Sequence, residues 1–94
     1  MRNYEIVLII HTDLDETAVN GVIEKVKGWI TEAAGVVDSV DVWGRRKLAY
    51  LIRKQREGHY VLIKAQLDPA TIAGLERNLR FLETVLRFLV TVQE

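Results

Sequence analysis

Apolar and polar positions alternate from Tyr4 to Ile10. Tyr4, Ile6, Leu8 and Ile10 fall on one side, and Glu5, Val7 and Ile9 on the other. That period of two marks a strand. Both sides are rather apolar, which predicts a central strand whose second face is at least partly covered. The period then lengthens. Val19, Val22, Ile23, Val26, Ile30 and Ala33 recur at helical spacing and predict a helix over about 16–34. Asp13 and Glu16 have capping-box spacing, and Asp15 is a second N-cap candidate. Gly21 and Gly28 interrupt the stripe, each costing about 1 kcal/mol relative to alanine. Gly35 suits the left-handed position that closes a helix.

Residues 36–54 return to an extended pattern. Strict alternation places Trp43, Arg45, Lys47, Ala49 and Leu51 on one face, and Arg46, Leu48, Tyr50 and Ile52 on the other. A bulge near Gly44 would change that register. Gln55-Arg56-Glu57-Gly58 reads as a polar turn, and His59–Leu67 as the returning strand. A strand of about 15 residues rises about 50 Å, more than a small core needs. The tip carrying Arg53, Lys54 and Arg56 is therefore expected to project. Asp68-Pro69 opens a second helix, with Asp as cap and Pro at the first helical position. Ile72, Leu75 and Leu79 form its apolar stripe, and it ends near Phe81 or Leu82. Val85–Val92 reads as the last strand. Leu86, Phe88, Val90 and Val92 share one face, opposed by Val85, Arg87, Leu89 and Thr91.

The order is β-α-β-β-α-β, without a linker, repeat or low-complexity segment. It predicts one α+β domain over residues 1–94 of the ferredoxin-like class. Two helices cover one face of a four-stranded antiparallel sheet. Right-handed split crossovers give the strand order 4-1-3-2, with the second and fourth strands on the edges.

Charge alters this picture locally. The chain is neutral overall, yet residues 1–44 carry three Lys/Arg against eight Asp/Glu, net −5, and residues 45–94 carry ten against five, net +5. Residues 45–56 hold six cations (Arg45, Arg46, Lys47, Arg53, Lys54 and Arg56) and no acid before Glu57. Phosphate contact is local, so this asymmetry matters more than the total. Cysteine is absent, which removes disulfides and thiolate metal sites. The apolar run Ile6–Ile10 is too short for a signal segment or a membrane span. A soluble, cytoplasmic protein without a membrane partner is the expectation.

No catalytic constellation emerges. His11 and His59 stand apart, and both are expected at loop ends or facing solvent. Asp13, Asp15 and Glu16 are explained by helix capping without a metal. No glycine-rich phosphate loop is present. An enzyme, a cofactor or a small-molecule substrate therefore has no support. The element order invites comparison with the RNA-recognition-motif module, which stacks bases on aromatics of its central strands. Glu57-Gly58-His59-Tyr60-Val61-Leu62-Ile63-Lys64 lacks that module's leading cation and spaced aromatics, and Val7, Ile9 and Leu62 make a poor stacking platform. Arg45, Arg46 and Lys47 admit two readings: charges that guard a free sheet edge against self-pairing, or a binding surface. The hairpin cations tilt the balance toward binding. A ligand-binding regulatory domain of the same fold is the alternative function.

Four stretches together resemble the bacterial small-subunit ribosomal protein S six family. They are Met1-Arg2-Asn3-Tyr4-Glu5, Trp43-Gly44-Arg45-Arg46-Lys47-Leu48-Ala49-Tyr50, Gly58-His59-Tyr60-Val61-Leu62, and Leu79-Arg80-Phe81 before Val85-Leu86-Arg87. The resemblance spans essentially the whole chain. It implies a non-enzymatic component of the small ribosomal subunit, cytoplasmic and on the ribosome. It further implies binding to the central domain of small-subunit ribosomal RNA together with ribosomal protein S eighteen. The expected RNA contacts are Arg2, Tyr4, Arg45, Arg46, Lys47, Arg53, Lys54, Arg56 and Arg87. The partner protein is expected against Val42, Trp43, Arg46, Leu48 and Tyr50 on the edge strand. Three departures stand out. Leu51 occupies a position that is commonly proline. Leu82-Glu83 replaces Asn-Asp-like residues. The end Thr91-Val92-Gln93-Glu94 lacks the family's frequent cation and longer tail.

Overall fold

The computed structural model describes residues 1–93. Four strands form one antiparallel sheet: β1 (Arg2–Ile10), β2 (Val36–Ile52), β3 (Gln55–Leu67) and β4 (Val85–Gln93). Their order is β2-β3-β1-β4, the expected one read from the other edge. Helices α1 (Glu16–Glu32) and α2 (Ile72–Arg80) pack on one face.

The alternation in β1 is realised as expected. Tyr4, Ile6, Leu8 and Ile10 point into the core, joined by Val61, Ile63, Ala65 and Leu67 of β3. Val19, Ile23, Val26 and Ile30 of α1 and Leu75 and Leu79 of α2 close that layer. Each fully buried aliphatic side chain here contributes on the order of 1.5–3 kcal/mol.

The ends of α1 differ from expectation in instructive ways. Asp15, not Asp13, is the N-cap: its Oδ1 accepts from the Ala18 amide at 2.8 Å. Asp13 lies instead beside His11, with its carboxylate 3.4 Å from the ring Nδ1. At the other end the left-handed residue is Ala34, with φ 60°, one position earlier than the glycine. The Gly35 amide donates to the Ile30 carbonyl at 2.9 Å and the Ala34 amide to that of Thr31 at 3.0 Å, a Schellman closure. Gly35 is needed for space. A Cβ there would lie 2.8 Å from the Gln66 carbonyl oxygen and 2.6 Å from Leu67 Cδ2. Asp68 caps as expected, accepting from the Ala70 amide at 3.0 Å. The turn Pro69–Thr71 is 3-10 before α2 begins, and α2 ends at Arg80.

Three bulges reset the faces. Val42 pairs with Val61 and Gly44 with Tyr60, leaving Trp43 as an extra residue where Gly44 takes φ 82°. Asp38 is left over in the same way between Val37 and Ser39. In β4, Ile10 pairs with Val85 and Ile9 with Arg87, so Leu86 is the extra residue. Val85 thereby joins Phe88 and Val90 on the helix side, and Leu86, expected there, is buried outside that cluster.

The hairpin tip also departs from expectation. Residues 55–58 are strand, and the turn is Arg53-Lys54 between paired Ile52 and Gln55. Both turn residues have positive φ, 49° and 67°, the signature of a two-residue primed turn. Gly58 lies inside β3, where a Cβ would approach Ile9 Cγ2 to 2.4 Å. The tip does not project. A straight 17-residue β2 would span about 56 Å, yet the longest dimension of the molecule is 36 Å. Between the pairs Lys47–Glu57 and Ile52–Gln55 the ladder is irregular, and there the strand bends. The tip curls over the face that the helices leave open. The Arg87 guanidinium of β4 donates to the Tyr50 hydroxyl, and Arg53 Nη1 donates to the Glu83 carbonyl at 3.1 Å. No helix among the described residues is long and apolar enough to cross a membrane.

Candidate nucleic-acid and partner interface

Strand β2 is an edge of the sheet, so one side of its backbone is free to pair or to meet a ligand. Its charge divides at the Trp43 bulge. Asp38 and Asp41 lie before it, and Arg45, Arg46 and Lys47 follow, all five exposed. Cross-strand partners fix the faces. Arg45 sits opposite His59 and Lys47 opposite Glu57, on the helix side, whereas Arg46 sits opposite Gly58 on the other. Arg45 Nε is 3.6 Å from Glu57 Oε2, so one of the three cations is already ion-paired within the chain. Surface pairs of this kind contribute about 0–1 kcal/mol and leave the guanidinium available.

The bulge changes the company of Trp43. Strict alternation grouped it with Arg45, but its indole stacks on Tyr60, with ring centroids 6.3 Å apart and planes 8° apart. Tyr60 belongs to the face away from the helices, so Trp43 is there too. Of the expected partner-contact residues, Val42, Trp43, Arg46 and Tyr50 are exposed and Leu48 is half-buried. Leu48 lies near Gly58, its Cδ2 being 3.7 Å from where a Cβ would stand.

The expected RNA contacts fall into three groups. Arg45, Arg46 and Lys47 form one exposed run. Arg53, Lys54 and Arg56 are exposed at the tip, but Arg53 is bonded to the Glu83 carbonyl. Arg87 is exposed on the far edge strand, yet the curled tip brings Tyr50 over to it. The guanidinium carbon lies 5.8 Å from the tyrosine ring centroid, within cation–π range. Arg2 is exposed at the start of β1, remote in register from this cluster. Tyr4 is placed differently from the exposed cations. It is only 8% exposed and its ring packs in the core, so any contact it makes comes from its rim. Sequence reasoning missed the joining of Tyr50 to Arg87, because the bend that creates it sits between residues with no turn signal.

The histidines also separate. His11 follows β1 in a loop. His59, expected at a loop end, lies within β3 on the helix side, and its Nε2 is shielded without a hydrogen-bond partner among the described residues. No group of three metal-ligating side chains occurs among the described residues.

Comparison with known proteins matches residues 3–92 to the family model for ribosomal protein S6. The small ribosomal subunit protein bS6 of Clostridium novyi is 49% identical over 94 residues, covering 100% of this chain and 99% of that one. Its counterpart in Moorella thermoacetica is 45% identical over 91 residues, covering 97% and 93%. The crystal structure of 30S ribosomal protein S6 from Thermotoga maritima superposes with a TM-score of 0.92 at 32% identity, covering 98% of this chain and 87% of that one. The C-terminal domain of MgtC from Mycobacterium tuberculosis shares the fold alone, at a TM-score of 0.60 and 14% identity. By the extent and identity of these matches, the chain belongs to the ribosomal protein S6 family.

Proposed function

We propose that residues 1–94 act as one unit that binds the central domain of small-subunit ribosomal RNA and, along the β2 edge, ribosomal protein S eighteen. The family is one of structural ribosomal proteins, not enzymes, and this chain is a structural protein of the small ribosomal subunit. The observation that carries the finer reading is the run Arg45-Arg46-Lys47, exposed on a strand edge that the protein leaves unpaired.

Cations on both faces of one edge strand reach phosphates on either side of it. Such contacts position RNA more than they read its sequence, and their strength falls with salt as counterions are released. The exposed apolar residues Val42 and Trp43 next to that run supply an anchor for a protein neighbour. The same charges disfavour a like strand while admitting a complementary partner.

Reversing Arg45, Arg46 and Lys47 together to glutamate is expected to lower the thermal unfolding midpoint only modestly, since two of the new carboxylates face Glu57 but all three positions are exposed. The variant is expected to be lost from small subunits in co-sedimentation. Full incorporation of the folded triple variant would refute the role assigned to this run.

A further inference from the structure

The curled tip forms an open-mouthed cavity of about 250 Å³ against the open face of the sheet. Tyr50 and Tyr60 supply aromatic walls, Val7, Leu48 and Leu89 aliphatic ones, and Arg87 a guanidinium. No acidic side chain among the described residues lines it. The volume falls below the roughly 300–1,000 Å³ of drug-sized sites, leaving room for about one planar ring system. Trp43 stacks on Tyr60, so this wall is an aromatic pair rather than a single ring. We propose that the cavity takes one unpaired base of an RNA strand, stacked against Tyr50 and Tyr60, with its flanking phosphates on Arg87 and the tip cations.

Several features favour a nucleobase. Aromatic rings beside a guanidinium are the usual platform for unpaired RNA bases, which stack on both. Arg53 and Lys54 directly follow the cavity residue Ile52, so cations lie within a residue or two of the mouth. An apolar peptide side chain would fill the same space but would draw no benefit from those charges. Arg87 holds the Tyr50 hydroxyl with one of its five donors, which pre-sets the ring and leaves donors for a phosphate. The base-stacking aromatics of the sheet are not spaced along one strand. They are gathered from β2 and β3, beside Arg87 of β4, by the Trp43 bulge and the bend of the tip, so no linear motif announces them.

This inference rests on the RNA-binding reading, and its test separates the two. The methyl-labelled wild-type chain is titrated with a single-stranded pentaribonucleotide carrying one 2-aminopurine. The expected result is ring-current shifts of the Val7, Leu48 and Leu89 methyl resonances, with quenching of the 2-aminopurine. Tyr50→Ala should weaken this binding about tenfold, as loss of one stacking side chain does. Tyr50→Phe, which keeps the ring, should retain the quenching.

Incorporation into small subunits with neither methyl shifts nor quenching would overturn the base site and leave the RNA-binding reading standing. Methyl shifts produced by N-acetyl-leucinamide and not by the oligonucleotide would also overturn it, assigning the cavity to a protein side chain. Failure of the wild-type chain to enter small subunits would remove the RNA reading and this inference together.

Discussion

The two faces of the sheet are covered in different ways. One lies under α1 and α2, where Ile6, Leu8, Ile10, Val26, Ile30, Ile63 and Leu79 are sealed from solvent. The other is covered by the chain's own hairpin tip, held at its far end by Tyr50 on Arg87 and Arg53 on the Glu83 carbonyl. The first covering is aliphatic packing, whose strength grows with the area removed from water. The second is a few exposed polar contacts over a partly filled cavity, and such contacts contribute little each. The stable face specifies the fold, and the loosely covered face carries the aromatics and cations. Functional segments are commonly drawn from the low-stability end of a structure in this way.

The largest test of this contrast removes one side chain from each face. Ile6→Ala leaves a void in a sealed layer and is expected to cost about 2–5 kcal/mol. Tyr50→Ala, at an exposed position, should cost no more than about 1 kcal/mol. Denaturant unfolding of both variants checks the difference, and similar losses would break the distinction between the faces.

A smaller effect comes from the two glycines that permit close approach. In Gly35→Ala the added Cβ meets a backbone carbonyl at 2.8 Å, which cannot step aside. The expected loss is about 2–3 kcal/mol. In Gly58→Ala the nearest atom is Ile9 Cγ2, a side-chain methyl beside the cavity. That methyl sits on the branched Cβ of Ile9 and turns away only by rotating its stiff χ1 toward the cavity. The loss should be smaller than at Gly35 but still about 1–2 kcal/mol. Thermal unfolding midpoints of the pair rank the two sites, and a larger drop for Gly58→Ala would mean that the open face is packed as tightly as the helical one.

The smallest effect sharpens the comparison from the other side. Lys54 holds a left-handed conformation that glycine adopts without steric cost. Lys54→Gly is expected to stabilise the tip by about 0.5–1 kcal/mol. Slower amide exchange at residues 48–56 would show it. Faster exchange there would mean that the lysine side chain helps to hold the tip down.

Much of the fold was legible because it depends on neighbours in sequence. The alternation of Tyr4–Ile10, the stripe from Val19 to Ile30 and the Asp68-Pro69 start each encode their own geometry. What was not legible depends on partners distant in the chain. Leu86 and Trp43 become bulge residues only through their pairing with β1 and β3. Ala34 rather than Gly35 takes the left-handed position, and Gly35 is needed instead where the chain passes close to Leu67 and the Gln66 carbonyl. Glycine was read as a conformational signal where its use is spatial. The run Arg45-Arg46-Lys47 was visible as charge, and its division between two faces followed from alternation. The meeting of Tyr50, Tyr60 and Arg87 was invisible, since it needs a bend in β2 and the adjacency of β3, β1 and β4.

The placement of the two tryptophans gives the molecule an optical asymmetry. Trp29 sits on α1, half-buried against the helix-side core, and Trp43 lies stacked on Tyr60 across the sheet. Each chromophore therefore belongs to a different covering. With one indole replaced by phenylalanine, the emission of the other follows a single layer. The chain thus carries an internal reporter for each face, and loosening of the tip can be watched apart from loosening of the core without attaching any dye.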